Sequence, residues 1–107
     1  MVYVQAMTRE QALDLLRLNE DELRRCGVAH AALFGSLARG DQNSNSDIDV
    51  LLRFDPQAPI TLWDYAGLKR RVARMLKTPA KRIDVIDLDG MSAHVRPAVE
   101  RDAVYAF

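Results

Sequence analysis

The sequence predicts a small α/β fold, a mixed sheet of three to four strands with helices packed over one face. Two observations lead there. Apolar residues recur at helical spacing across 8–27 and again across 61–75, while the stretches 28–34, 47–54 and 82–88 are short, apolar or alternating, as strands are. The resulting order is helix, strand, strand, helix, strand, helix, which suits a two-layer α/β arrangement. A length of 107 residues suits one domain, 1–107, with no room for two ordinary cores.

The first helix opens at "TREQ", where Thr8 and Gln11 stand at capping-box spacing. Ala12, Leu15, Leu16 and Leu23 follow near helical spacing, and Gly27 suits the C-terminal cap. "VAHAALF" is a buried strand, Val28–Phe34, with His30 as a packed or edge residue. "DIDVLLRF" is a second strand, with Ile48, Val50 and Leu52 on one face and Asp47, Asp49 and Leu51 on the other. After the turn "DPQAP", Thr61 and Asp64 cap a second long helix whose stripe is Leu62, Tyr65, Leu68, Val72 and Met75, ended by Thr78-Pro79. "RIDVIDL" alternates as a third strand, and Pro97 starts a helical turn within "MSAHVRPAVER". The tail "AVYAF" suits either a short edge strand or a fraying helix end.

The composition, 49% hydrophobic and 28% charged, is that of a globular chain. No apolar stretch is long enough to span a bilayer, no signal-peptide layout is visible, and the lone Cys26 forms no internal disulfide. A cytoplasmic protein is the expectation. The net charge of zero argues against a general nucleic-acid binder. The charge is nevertheless uneven, since residues 1–60 carry six basic and nine acidic side chains and residues 61–107 carry nine and six. The basic stretch at Lys69, Arg70, Arg71, Arg74, Lys77, Lys81 and Arg82 reads as a solvated helix face or as a docking surface for an acidic partner protein.

Chemistry concentrates in "FGSLARGDQNSNSDIDV". Residues two apart in a strand share a face with Cα atoms roughly 6.5–7 Å apart, so Asp47 and Asp49 crowd two like charges together. Strand propensity does not favour aspartate, and such a pair calls for a compensating cation or a solvated strand end. Oxygen ligands suit Mg²⁺, or Mn²⁺, better than zinc. Gly35-Ser36 forms a tight turn whose N–H groups and hydroxyl suit a phosphate, and Leu37, Ala38 and Arg39 can open a short helix. Asp84, set in an apolar run, is the best third acid. Turn or cap roles account for Asp87 and Asp89.

These residues resemble the signature G-S-x-A-R-G-x5-S-D-x-D of the minimal nucleotidyltransferases of the DNA polymerase β superfamily. Gly35, Ser36, Ala38, Arg39, Gly40, Ser46, Asp47 and Asp49 match it, and "RIDVIDL" resembles the later family strand, with Asp84 at the third carboxylate position. The resemblance implies ATP as substrate and two Mg²⁺ ions (Mn²⁺ an alternative) held by Asp47, Asp49 and Asp84, acting on both the attacking and leaving oxygens. It also implies that Asp84 helps activate the attacking hydroxyl and that Gly35 and Ser36 grip the outer phosphates. Arg39 either contacts phosphate or pairs with an acid, and Ser46 orients the loop.

Small members of this kind resemble the antitoxin half of HEPN/MNT, or type VII, toxin–antitoxin modules. That likeness implies transfer of AMP to a tyrosine of a HEPN-domain ribonuclease toxin. Two other readings are a non-catalytic antitoxin acting by steric occlusion and a nucleotidyltransferase for a small molecule.

Overall fold

The computed structural model describes residues 7–41, 47–58 and 62–107. The Thr61–Asp64 cap and the side chains of Leu62 and Tyr65 lie outside what is described, as does Ser46.

The predicted capping box forms in full. Thr8 Oγ1 accepts from the Gln11 N–H at 3.1 Å, and Gln11 Oε1 accepts from the Thr8 N–H at 2.9 Å. It opens α1 (Arg9–Leu18), but the expected single helix is two, because α2 (Glu20–Arg25) starts afresh after Asn19. The Asn19 side-chain amide donates to the Leu15 carbonyl at 2.7 Å, competing with the helical ladder as asparagine tends to. Both pieces still seat their leucines, since Leu16 and Leu23 are fully buried.

Four strands form the sheet: β1 (Val28–Phe34), β2 (Ile48–Phe54), β3 (Ile83–Asp87) and β4 (Val104–Tyr105), in the order β3-β2-β1-β4. The tail is thus an edge strand. β1 is antiparallel to both β2 and β4, whereas β2 and β3 are parallel. A parallel pair needs a long crossover, and α4 (Leu62–Met75) supplies it. This helix stops before Thr78-Pro79. Lys77 takes a left-handed φ of 54°, and the Thr78 N–H closes back onto the Ala73 carbonyl at 3.0 Å.

The alternation read from β2 holds. Ile48, Val50 and Leu52 join Ala31, Leu33 and Ile83 in the main core, beneath Leu13 and Leu16 of α1, Leu23 of α2, Leu68 and Val72 of α4, and Leu76 just past it. On the other face Ala32 and Leu51 meet Leu88 and Val99 in a smaller cluster, so α5 (Arg96–Asp102) packs opposite the main helical layer. His30, read as a packed or an edge residue, is neither: it is exposed on the inner strand β1 and meets the Tyr105 ring edge-on at 6.3 Å. The basic stretch is less free than its sequence suggests, because Glu22 on α2 pairs with Arg71 at 3.3 Å and Arg74 at 2.8 Å. Among the described residues no helix is long and apolar enough to cross a membrane.

Candidate active site

The predicted acids meet at one end of the sheet. Burying Ile48 and Val50 turns Asp49 to the opposite face, and burying Ile83 does the same for Asp84. The parallel register pairs Ile48 with Ile83, Asp49 with Asp84 and Val50 with Val85, which sets the two carboxylates side by side. A slip of one residue would flip every β3 side chain and part them. Asp47 stands just before β2 and is exposed. Its charge still reaches Asp49.

The burial cost expected for Asp84 falls on Asp49 instead. Asp84 is exposed, being only the second residue of β3, while Asp49 is half-buried. Burial pushes the Asp49 carboxyl above its ordinary 3.8, the charges of Asp84 and then Asp47 push the same way, as does a hydrogen bond with Asp84, and Arg39 alone opposes them. Three carboxylates against one arginine leave the end of the strand anionic, a donor set of hard oxygens that fits a divalent cation. Among the described residues no three of these acids are gathered into a ready-made metal cluster.

Gly35 and Ser36 open α3 (Gly35–Arg39), the short helix expected after β1. Gly35 has φ +76°, and a Cβ there would collide with Asp49 Oδ2. Sequence reasoning assigned this glycine a close approach to phosphate. The structure puts the Asp49 carboxylate in the space a side chain would take there, so the Gly-Ser turn lies close beside Asp49. Past the helix, Gly40 is left-handed at φ 80°, its N–H donating to the Leu37 carbonyl and the Asp41 N–H to that of Ser36, each at 3.1 Å. Arg39 Nε donates to Asp41 Oδ2 at 3.2 Å, an exposed acid pairing.

Asp87 and Asp89 stay out of this group. Asp87 Oδ1 accepts from the Asp89 N–H at 3.0 Å, capping the 3-10 turn Leu88–Gly90, and Asp89 pairs with Arg53 at 3.5 Å. An open groove of about 600 Å³ touches His30, Arg53, Phe54, Asp87 and Asp89 at the far end of β2 and contains none of the predicted site residues.

A family model described as "Nucleotidyltransferase domain" matches residues 15–102. The chain belongs to the nucleotidyltransferase domain family. The Thermococcus cleftensis relative named protein adenylyltransferase MntA is 29% identical, over 92% of this chain and 96% of its own. A Methanocaldococcus jannaschii chain, provisionally named a protein adenylyltransferase, is 30% identical over 92% of this chain and 97% of its own. A solved structure provisionally described as a minimal nucleotidyltransferase superposes with a TM-score of 0.76 at 30% identity, covering 92% of this chain and 95% of that one. A toxin–antitoxin crystal structure with AMP-PNP shares the fold at a TM-score of 0.63 and 23% identity, covering 94% of this chain and 73% of that one. The nucleotidyltransferase is therefore an enzyme of this class, with a small mixed-sheet α/β fold common to these neighbours.

Arg9, to which the sequence pattern assigned no part, also reaches α3. Its guanidinium donates from Nη1 to the Ala38 carbonyl of α3 at 3.0 Å. The signal was an arginine in the first turn of a helix, where the macrodipole disfavours a cation.

Proposed function

We propose that this nucleotidyltransferase is the antitoxin of a HEPN/MNT-type module, acting as a single domain in the cytoplasm. In this reading it transfers AMP from ATP to a tyrosine of its cognate HEPN ribonuclease toxin and so neutralises it. The observation that carries the reading is the Asp49–Asp84 pair, opposed in parallel register with Gly35 packed against Asp49. The names of the relatives support the reaction class. The acceptor is supported by the fold likeness to a structure described as a tri-AMPylated HEPN toxin with its MNT antitoxin.

The residues divide the work by position. Asp47, Asp49 and Asp84 would hold Mg²⁺, and Asp84, exposed beside the other two, would draw the proton from the attacking tyrosine hydroxyl. Divalent ions bound there would supply charge stabilisation for phosphoryl transfer. The tyrosine oxygen bonds to the α-phosphorus, the α–β phosphoanhydride bond breaks, and pyrophosphate leaves. Gly35 and Ser36 bind the outer phosphates through the turn that lies close beside Asp49. Arg39 is paired with Asp41 and lends positive charge toward Asp49. If the basic helix face docks the toxin, the cations available are Lys69, Arg70, Lys77 and Lys81, since Arg71 and Arg74 are engaged by Glu22.

The test is intact-mass measurement of the toxin encoded beside this protein after incubation with ATP, Mg²⁺ and the nucleotidyltransferase. Added mass in whole AMP units, lost with Asp47→Asn plus Asp49→Asn, is the expected result. No added mass with any nucleotide, while the toxin is still neutralised, would replace catalysis with steric occlusion.

A further inference from the structure

We infer that Arg9 is a positioning residue for the nucleotide site, holding α3 and its Gly-Ser turn against Asp49. The inference rests on the proposed reading of Gly35 and Ser36 as a phosphate seat. Its physical basis is a charge that sits poorly on one helix and well on another. Arg9 is the first residue of α1, at the positive end of that helix's dipole, where a cation is disfavoured. Helical side chains lean back toward their own N-terminus. The guanidinium accordingly leaves α1 and reaches the C-terminal end of α3, where the dipole welcomes positive charge and carbonyls lack helical donors.

The contact supplies what α3 lacks. Five residues are too few for a helix to persist alone, so α3 depends on what anchors it. Leu37 and Ala38 are buried below it, and the Ser36 and Leu37 carbonyls are taken by the N–H groups of Asp41 and Gly40. The Ala38 carbonyl is taken by Arg9 Nη1, a partly buried bond across 29 positions of sequence. The guanidinium also pairs with Glu10 at 3.2 Å, which sets its orientation. Any shift of α3 moves Gly35, and Asp49 Oδ2 fills the space where a Cβ at that position would stand. The position of the turn is therefore coupled through α3 to a guanidinium on another helix.

Arg17 provides the matched control. It lies on the same helix and its Nε donates to the Ala106 carbonyl at 2.9 Å, tying α1 to the end of the chain rather than to α3. The experiment compares Arg9→Met, Arg9→Lys and Arg17→Met by amide hydrogen exchange of the free protein and by calorimetric affinity for AMP-PNP with Mg²⁺, neither of which needs the toxin. Arg9→Met should speed exchange at Ser36–Asp41 about tenfold and weaken AMP-PNP binding roughly tenfold, the low end of an indirect positioning effect. Arg9→Lys, which keeps a charged donor, should recover most of both. Arg17→Met should leave both within about twofold of the parent.

Equal effects from Arg9→Met and Arg17→Met would reduce Arg9 to a general stability contact and overturn the inference, as would unchanged exchange in Arg9→Met. A parent that binds AMP-PNP but adds no AMP to the toxin would refute the proposed acceptor and leave this inference standing. A parent that binds no nucleotide would overturn the inference together with the phosphate seat.

Discussion

Asp49 and Asp84 occupy directly opposed positions on the parallel strands β2 and β3, their carboxylates on the sheet face away from the main core. Neither strand would tolerate its acid on the core side, so packing alone brings the two like charges together. The arrangement costs the free protein stability and is useful only when a cation is present.

Neutralising one member should therefore separate stability from function. Asp49→Asn removes the more buried charge and its repulsion with Asp84 and Asp47, and should stabilise the metal-free protein by about 0.5–1 kcal/mol, a figure kept small by solvent screening. AMP transfer should fall by at least about a hundredfold as metal binding is lost. Urea denaturation and the toxin mass assay measure the two effects. A variant both less stable and inactive would mean that Asp49 is held by attractive contacts.

The same pair sets a pH signature. The folded-state value of Asp49 lies above its ordinary 3.8, so the folded chain binds that proton more tightly than the unfolded one. The associated stabilisation is present below 3.8 and is lost as pH rises through the raised value. Asp49→Asn lacks this titration, so its stability advantage over the parent should be near zero in acid and open as pH rises toward neutrality. Mg²⁺ should reverse the order by stabilising only the parent, by about 2.7 kcal/mol at a hundredfold excess over its Kd. Paired unfolding curves across pH, with and without Mg²⁺, decide this. A pH-independent difference would show that Asp49 ionises normally.

Much of this site was legible because periodicity speaks directly to faces. Alternation in "DIDVLL" and "RIDVID" places Asp49 and Asp84 off the core without any knowledge of pairing. Which strand lies beside which, and in what register, depends on the α4 crossover and on long-range packing that no local pattern encodes. The Asn19 break escaped for a related reason. The leucines on either side keep helical spacing, and the Asn19 side-chain bond that shares the Leu15 carbonyl with the backbone N–H leaves no mark in that spacing. The tie from Glu22 to Arg71 and Arg74 joins residues 49 and 52 positions apart, so the basic run looked freer than it is.

Gly35 and Gly40 allow the contact with Asp49 to be isolated. Both have positive φ, 76° and 80°, so an alanine is strained at either site, but only at Gly35 would the new Cβ meet Asp49 Oδ2, while at Gly40 nothing lies within 4 Å. Gly40→Ala should cost about 1 kcal/mol from backbone strain. Gly35→Ala should cost about 2–3 kcal/mol, with overpacking added to the strain. Equal losses in thermal or chemical denaturation would show that Asp49 yields freely and that the turn is not held by it.

Lys77 presents the opposite case, a left-handed position without its preferred residue. It follows α4 at φ 54°, its N–H donating to the Arg74 carbonyl at 3.1 Å, and the Thr78 N–H completes the closure on Ala73. A non-glycine residue there costs about 1–2 kcal/mol in local strain. Glycine would relieve that strain at the expense of some unfolded-chain entropy. Lys77→Gly should thus stabilise the protein by about 0.5–1 kcal/mol and leave AMP-PNP affinity unchanged, because the contacts of Asp49, Asp84 and Gly35 do not involve this turn. Differential scanning calorimetry beside nucleotide titration checks both halves. A loss of stability would mean that the lysine side chain contributes more than the strain it imposes.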